Sequence, residues 1–291
     1  MNKFKLTGLI AIVAFSLTSC LNKFVESDLD ALYEEEATKI LQYGLDNSIT
    51  LTKDNSSGIY YRITKPNATG LLPSSAYEFH IAYSLKNLAG TLIGQKEAKD
   101  SVIVNYYRSN VFTGFLFSMF LLKEGEKGQF FIPSQLAYGD NPPSGVAKNE
   151  IIVAEIEMIN MLTEDERIES FIKKKNYTVT YKSDQGLRVI KLSENPTADT
   201  VKTGDLVQVK YKGMFLNETA FDNGATPFSF TIGSNSSIKG FEAGILKLRK
   251  GEKAKLVFPS SLGYGTTGSG SSIPPYTPLL FDVELSKING N

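Results

Sequence analysis

Apolar and polar residues alternate along much of this chain with a period of two. Val207, Val209 and Tyr211 alternate with polar neighbours, as do Phe228, Phe230 and Ile232, then Ala254, Leu256 and Phe258, then Phe281, Val283 and Leu285. Such alternation puts one face of a strand in a core and the other in water, the habit of antiparallel sheets. One segment breaks the rule. In IKGFEAGILKLRKG, Phe241, Ile245 and Leu248 recur at helical spacing, and Gly251 supplies a stop. The pattern predicts a half-buried antiparallel sheet wrapped around one short helix, an α+β unit. Nearer the start, Leu29, Leu32, Ile40, Leu41 and Leu45 predict a further helix over about 28–46, capped by Ser27 or Asp28.

The unit occurs twice. GIYYRITK from Gly58 matches GLRVIKLS from Gly186, and Tyr83 matches Tyr211, both 128 residues apart. Gly114-Phe115 and Gly240-Phe241, Pro133 and Pro259, and Tyr138-Gly139 and Tyr264-Gly265 keep an offset of 126. EGEK from Glu124 answers KGEK from Lys250 at the same offset, and Glu157 precedes Glu284 by 127. Drift this small is the mark of short loop insertions within a duplicated domain. The first copy carries its own helical set, Phe115, Met119 and Leu122 before Gly125. A charged stretch at 162–176 predicts a linking helix. Two copies are too few for a solenoid, and each is long enough to close its own core. The expected organisation is a leader at 1–19, a tether and helix at 20–50, a first domain at 51–163 and a second at 164–291.

Composition narrows the chemistry. The 291 residues hold 31 basic and 31 acidic side chains and no Lys/Arg block, so nucleic acid is not an expected partner. One Cys excludes an internal disulfide, and one Cys with one His argues against a zinc site. No phosphate-binding glycine loop, nucleophile elbow or metal-spaced cluster occurs. No metal and no cofactor are expected. His80, in YEFHIAY, is out of phase with Phe79 and Ile81 and is expected to face solvent. Any activity works without a His base or Cys nucleophile.

The start has a different character. Lys3 and Lys5 precede an apolar run from Leu6 to Leu17 that is too short to span a bilayer. Leu-Thr-Ser-Cys follows and resembles the lipobox of bacterial lipoproteins. The resemblance implies cleavage before Cys20, acylation of Cys20 and attachment to a lipid bilayer in the bacterial envelope. Leu21 in place of Asp favours the outer membrane. The plainer alternative is an ordinary signal peptide with a chance Cys.

In the second unit VKYKG, FDNG, PFSFTIG, IKGFEAG and YG…IPP…FDVEL occur in that order over about 200–288. This ordered set resembles the FKBP-type peptidyl-prolyl isomerases. The resemblance implies two tandem FKBP-like domains, each a half-barrel of antiparallel strands around one short helix. It implies a pocket whose substrate-binding wall is Tyr211, Phe221, Phe228, Ile273 and Phe281, with Phe241 as a floor where the family usually has Trp. Its catalytic group would be Asp222, oriented by Tyr211, with Tyr264 and the backbone N–H of Ile238, which would bind a substrate carbonyl. The stretch from Tyr264 to Pro275 would be a flap with a mobile Gly/Ser tip on a stiff Ile-Pro-Pro rim. Taken singly, Phe228, Phe230 and Phe281 read as core, Asp222 as a turn cap and Pro274-Pro275 as a loop end.

The first unit has lost the set. Tyr83, Phe115 and Tyr138 remain, but Ile93-Gly94 stand where Phe221-Asp222 do, Val102 matches Phe228 and Ala154 matches Phe281. Its prolines move to Pro142-Pro143. The expectation is an FKBP-like fold without efficient isomerase activity. Client binding, pairing with a second copy and spacing from the membrane stay open as its role. The expected function is a membrane-anchored prolyl isomerase acting on proline-containing polypeptides and assisting the folding of exported proteins. The alternative is a non-catalytic peptide-binding or chaperone lipoprotein.

Overall fold

The computed structural model describes residues 19–290. Helix α1 (Ser19–Asp46) leads into β1 (Thr52–Lys53), β2 (Tyr60–Lys65), β3 (Glu78–Asn87), β4 (Leu92–Lys96) and β5 (Val102–Asn105). Helix α2 (Thr113–Phe120), β6 (Lys127–Ile132) and β7 (Ile152–Leu162) complete the first unit. Helix α3 (Glu164–Lys175) opens the second, followed by β8 (Tyr181–Lys182), β9 (Arg188–Ser193), β10 (Leu206–Phe215), β11 (Ala220–Asp222) and β12 (Phe228–Thr231). Helix α4 (Lys239–Ile245), β13 (Lys253–Phe258) and β14 (Leu279–Ile288) end it.

The two seven-stranded sheets share one topology. The first runs β1-β2-β6-β7-β3-β4 with β5 also on β3, and the second runs β8-β9-β13-β14-β10-β11 with β12 also on β10. Even the irregularities repeat, with a register shift after His80 in β3 and after Gln208 in β10. Each sheet folds its inner face over its short helix. Phe115, Met119 and Leu122 are buried in the first core, and Phe241, Ile245 and Leu248 in the second, at the spacing the sequence predicts.

The outer face of each sheet is covered by the helix that precedes it. Ile40 of α1 packs with Tyr60, Phe131 and Val153, while Ile168, Phe171 and Ile172 of α3 pack with Ile190, Val257 and Leu280. The backbone N–H of Ser134 donates to Glu36 at 2.9 Å, and that of Ser260 donates to Glu164 at 2.6 Å. These pairs are equivalent in the repeat, so each preceding helix belongs to the unit it leads.

Helix α1 departs from the sequence reading in two ways. It begins at Ser19, so the stretch expected as a tether is helical and Cys20 stands in its first turn. No Gly or Pro interrupts residues 19–43. Leu29, Leu41 and Leu45 are exposed, and of the expected stripe only Ile40 is fully buried. The buried Glu36 fixes the rotation of the helix, turning Glu36, Ile40 and Tyr43 toward the sheet. The expected leader lies outside the described residues except for its last position. No helix among the described residues is long and apolar enough to cross a membrane.

Helix α3 is defined at both ends. Thr163 and Glu166 form a reciprocal capping box, and Asn176 closes the C-terminus in the left-handed conformation. Its acidic first turn and basic last turn complement the helix dipole. Arg188, fully buried on β9, donates to Asp165 at 2.5 Å and to Glu169 at 2.6 Å, tying α3 to the second sheet. His80 turns away from the core as its phase requires. It is not free in solvent, because its side chain is three-quarters covered and Nε2 lies 3.0 Å from Glu78.

Candidate functional site

A cavity of about 400 Å³ opens between the inner face of β10 and β14 and the head of α4. Strand register places the groups that build it. Tyr211 faces Val283 and Gly213 faces Phe281 across the β10–β14 ladder, and Asp222 faces Gly213 across β10–β11. Phe241, in the first turn of α4, lies beneath as a floor that is 3% exposed. Its ring meets Phe281 edge-on at 5.2 Å and Tyr211 at 5.8 Å. Phe221 meets Phe281 edge-on at 5.7 Å, and Phe228 stands 6.4 Å from Tyr211. These edge-to-face contacts fix the rings against one another, so the apolar cup is preformed.

Polar groups stand at one side of the cup. The Tyr211 hydroxyl donates to Asp222 at 2.6 Å, and the N–H of Gly224 donates to the other carboxylate oxygen at 2.9 Å. The bond to Asp222, reinforced by burial, pushes the Tyr211 phenol up to about 12, so it stays protonated and holds the carboxylate in place. Burial, with the nearby Asp222 charge, also raises the Tyr264 phenol. Ile238 is the N-cap of α4, with φ −68° and ψ 146°. Its backbone N–H has no hydrogen-bond acceptor among the described residues, and the residue lines the cavity.

Eight of the nine expected pocket residues line this one cavity: Tyr211, Phe221, Asp222 and Phe228 from the strands, with Ile238, Phe241, Tyr264 and Phe281. Ile273 does not. It is 4% exposed and packs into the core, because the flap folds back on itself and turns this side chain inward. Asn235, Ser236 and Ser237 also line the cavity and were not singled out from the sequence. Their only signal is a polar run held between β12 and α4.

The flap is more ordered than its Gly/Ser composition suggests. Ser269 and Ile273 exchange two backbone hydrogen bonds, at 2.7 and 3.1 Å. The N–H of Gly268 donates to Tyr264, and that of Tyr276 donates to Gly265. Gly268 sits at φ +71°, where a Cβ would lie 2.1 Å from the Ile273 carbonyl oxygen. Only glycine permits this tight return.

The first unit has a counterpart cavity of about 410 Å³, with Tyr83, Phe112, Phe115 and Tyr138 on its wall. Register confirms the residue equivalences. Gly94 faces Leu85, Val102 faces Ile81 and Ala154 faces Leu85, as Asp222 faces Gly213, Phe228 faces Val209 and Phe281 faces Gly213. Bulk has been exchanged across the ladder, Leu–Ala for Gly–Phe. No carboxylate lines this cavity.

Comparison with known proteins finds one family over both units. A family model described as FKBP-type peptidyl-prolyl cis-trans isomerase matches residues 73–159 and 197–286. FK506-binding protein 2 of Dictyostelium discoideum is 48% identical over 99 residues, covering 32% of this chain and 74% of that protein. FK506-binding protein 1 of Saccharomyces cerevisiae is 42% identical over 106 residues, covering 35% of this chain and 93% of that protein. Among solved structures, FkpA from Escherichia coli is 34% identical with a TM-score of 0.38, covering 43% of this chain and 57% of that one.

Proposed function

This chain belongs to the FKBP-type peptidyl-prolyl cis-trans isomerase family, and we propose that its turnover resides in the second domain, in a lipoprotein that assists the folding of exported proteins. The observation that carries the assignment is the Tyr211–Asp222 pair beside an aromatic cup, a pair the first domain lacks.

The geometry suits rotation about an X–Pro bond. Resonance holds the amide planar behind a barrier of roughly 18–20 kcal/mol. At X–Pro the two isomers are close in energy but exchange slowly. No covalent bond has to be made or broken. In the twisted transition state the amide loses resonance and polarity, so an apolar cup favours it over the planar form that water solvates. This is differential binding of the transition state. Phe241, Phe281 and Phe228 would hold the proline ring. The free N–H of Ile238 would take the carbonyl of the substrate chain. Asp222, fixed by Tyr211 and Gly224, would orient the substrate through its charge, not as a general base.

Attachment rests on the lipobox-like Leu-Thr-Ser-Cys, which places an acylated Cys20 at an envelope membrane, with the outer membrane favoured by Leu21. A second reading assigns the first domain to binding alone. It is supported by a cavity of matching size without an acid.

The test is a prolyl-peptide isomerisation assay on the full chain beside Asp222→Ala and Phe281→Ala. Wild-type acceleration that falls sharply in both variants supports the assignment, and an uncatalysed rate in the wild type ends it. Retention of the Cys20→Ser chain in the soluble fraction, with the wild type in membranes, tests the anchor. Suppression of client aggregation by Asp222→Ala would favour the binding reading.

A further inference from the structure

The loop between β5 and α2 in the first domain and the loop between β12 and α4 in the second are the same length. Residues 106–112 of the first read Tyr-Tyr-Arg-Ser-Asn-Val-Phe, and residues 232–238 of the second read Ile-Gly-Ser-Asn-Ser-Ser-Ile. The second loop lines its own pocket with Asn235, Ser236 and Ser237. The first loop carries Tyr107 and Arg108 across to the other domain.

What they reach is the exit leg of the flap. Arg108 Nη2 donates to the Thr277 hydroxyl at 2.5 Å, and that hydroxyl donates to the carbonyl of Pro274 at 2.5 Å. The Tyr107 ring lies 5.9 Å from the Tyr276 ring. Tyr276 adopts φ +51°, an uncommon state for a bulky aromatic residue. Its N–H closes the flap onto Gly265, and its carbonyl accepts from Arg167 at 3.5 Å. The crevice between the two surfaces retains only about 10 Å³. The Arg108 guanidinium also lies 5.1 Å over the Phe215 ring, which packs at 5.3 Å on Phe221 of the pocket wall.

We propose that the first domain is a positioning element for the second domain's pocket: Arg108 and Tyr107 brace the flap at Tyr276 and Thr277 and back Phe221 through Phe215, so that the rim is set before a proline peptide arrives. Preorganisation of this kind lowers the ordering cost of binding. It acts mainly on KM, because the brace touches neither the cup floor nor the Tyr211–Asp222 pair. A domain that has lost its own acid thus keeps a defined task. The inference rests on the second domain being the site of turnover.

The test uses the full chain with Arg108→Gln and, from the other side of the contact, Thr277→Val, with Arg62→Gln as a control on the first domain's surface. Both contact variants should raise KM about three- to tenfold while kcat stays within about twofold, the loss expected for one typical hydrogen bond. Amide exchange at Tyr276, Ser269 and Ile273 should quicken in both and stay unchanged in Arg62→Gln. Wild-type KM together with wild-type exchange at Tyr276 in both variants overturns the proposal. The exchange measurement does not need turnover. If the wild-type chain proves inactive, the isomerase assignment fails, yet faster exchange at Tyr276 still supports the brace and unchanged exchange still ends it.

Discussion

Gly213 faces Phe281 across the β10–β14 ladder, and the ring occupies the space a side chain would need. A Cβ on Gly213 would lie 3.0 Å from Phe281 and 2.6 Å from Phe221. The cup's two aromatic walls therefore exist because residue 213 has no side chain. In the first domain Leu85 and Ala154 hold the same stations with the bulk reversed.

Gly213→Ala should push both rings off their positions, costing about 1–3 kcal/mol in thermal or denaturant unfolding and most of the isomerase activity. Gly213→Leu combined with Phe281→Ala should recover stability relative to Gly213→Leu alone, because it restores the first domain's pairing. It should remain inactive. Unfolding and turnover measured on the same samples check both outcomes.

The Tyr211 phenol, held protonated by its bond to Asp222, should titrate late. Its raised folded-state value of about 12 means the Tyr211–Asp222 bond is fully present below the ordinary tyrosine value of 10.0 and is lost as pH rises through about 12. The chain has no Trp, so phenolate absorbance reports tyrosines cleanly. Asp222→Asn should lower the Tyr211 phenol most and the Tyr264 phenol by the loss of the nearby charge, and Tyr211→Phe should remove the latest-titrating phenol.

Gly268→Ala should open the flap without unfolding the domain. A Cβ there meets the Ile273 carbonyl oxygen at 2.1 Å, so the Ser269–Ile273 pairing must break. Exchange of the Ser269 and Ile273 amides should quicken, and KM should rise. Unchanged protection would show that the hairpin tolerates the side chain.

Arg188→Ala should destabilise the second domain by about 2–4 kcal/mol, chiefly through the cavity left by a fully buried side chain and the unpaired Gly186 carbonyl, since the half-exposed Asp165 and Glu169 carboxylates are solvated once it is gone. Calorimetry of the full chain should show the loss as an earlier unfolding step. The step belongs to the second domain, because Arg188 joins α3 to β9.

The contact between domains should weaken in acid. Glu78 bonds Arg167 across it at 3.2 Å; burial raises this carboxyl, but the hydrogen bond from His80, the Arg167 charge and the hydrogen bond from Asn105 together hold it below its ordinary value of 4.5. Stability from a depressed carboxyl is present above that ordinary value and is lost as pH falls through the lower folded-state value. Interdomain separation measured by scattering should stay constant down to about pH 5 and increase below 4.5, and Glu78→Gln should show the increase already at neutral pH.

Eight of the nine residues that the FKBP resemblance implied for a pocket line one cavity, whereas the repeat, the α+β class and the buried helical triads were legible in the residues themselves. Each rests on local order: strand alternation and motif spacing depend on residues close together in the chain. Other features were not legible. Nothing local says that Glu36 would rotate α1 away from its leucine stripe, because its partner, the Ser134 amide, lies on a distant turn. Ile273 reads as a wall residue until the flap's backbone pairing turns it inward. Arg108 looks like any surface cation until two domains meet around it. Sequence alone determined which surfaces are apolar and which polar groups accompany them. Tertiary structure decided which of these meet, because a hydrogen bond or an edge-on ring contact needs two partners within a few ångströms, and chain order does not set that distance.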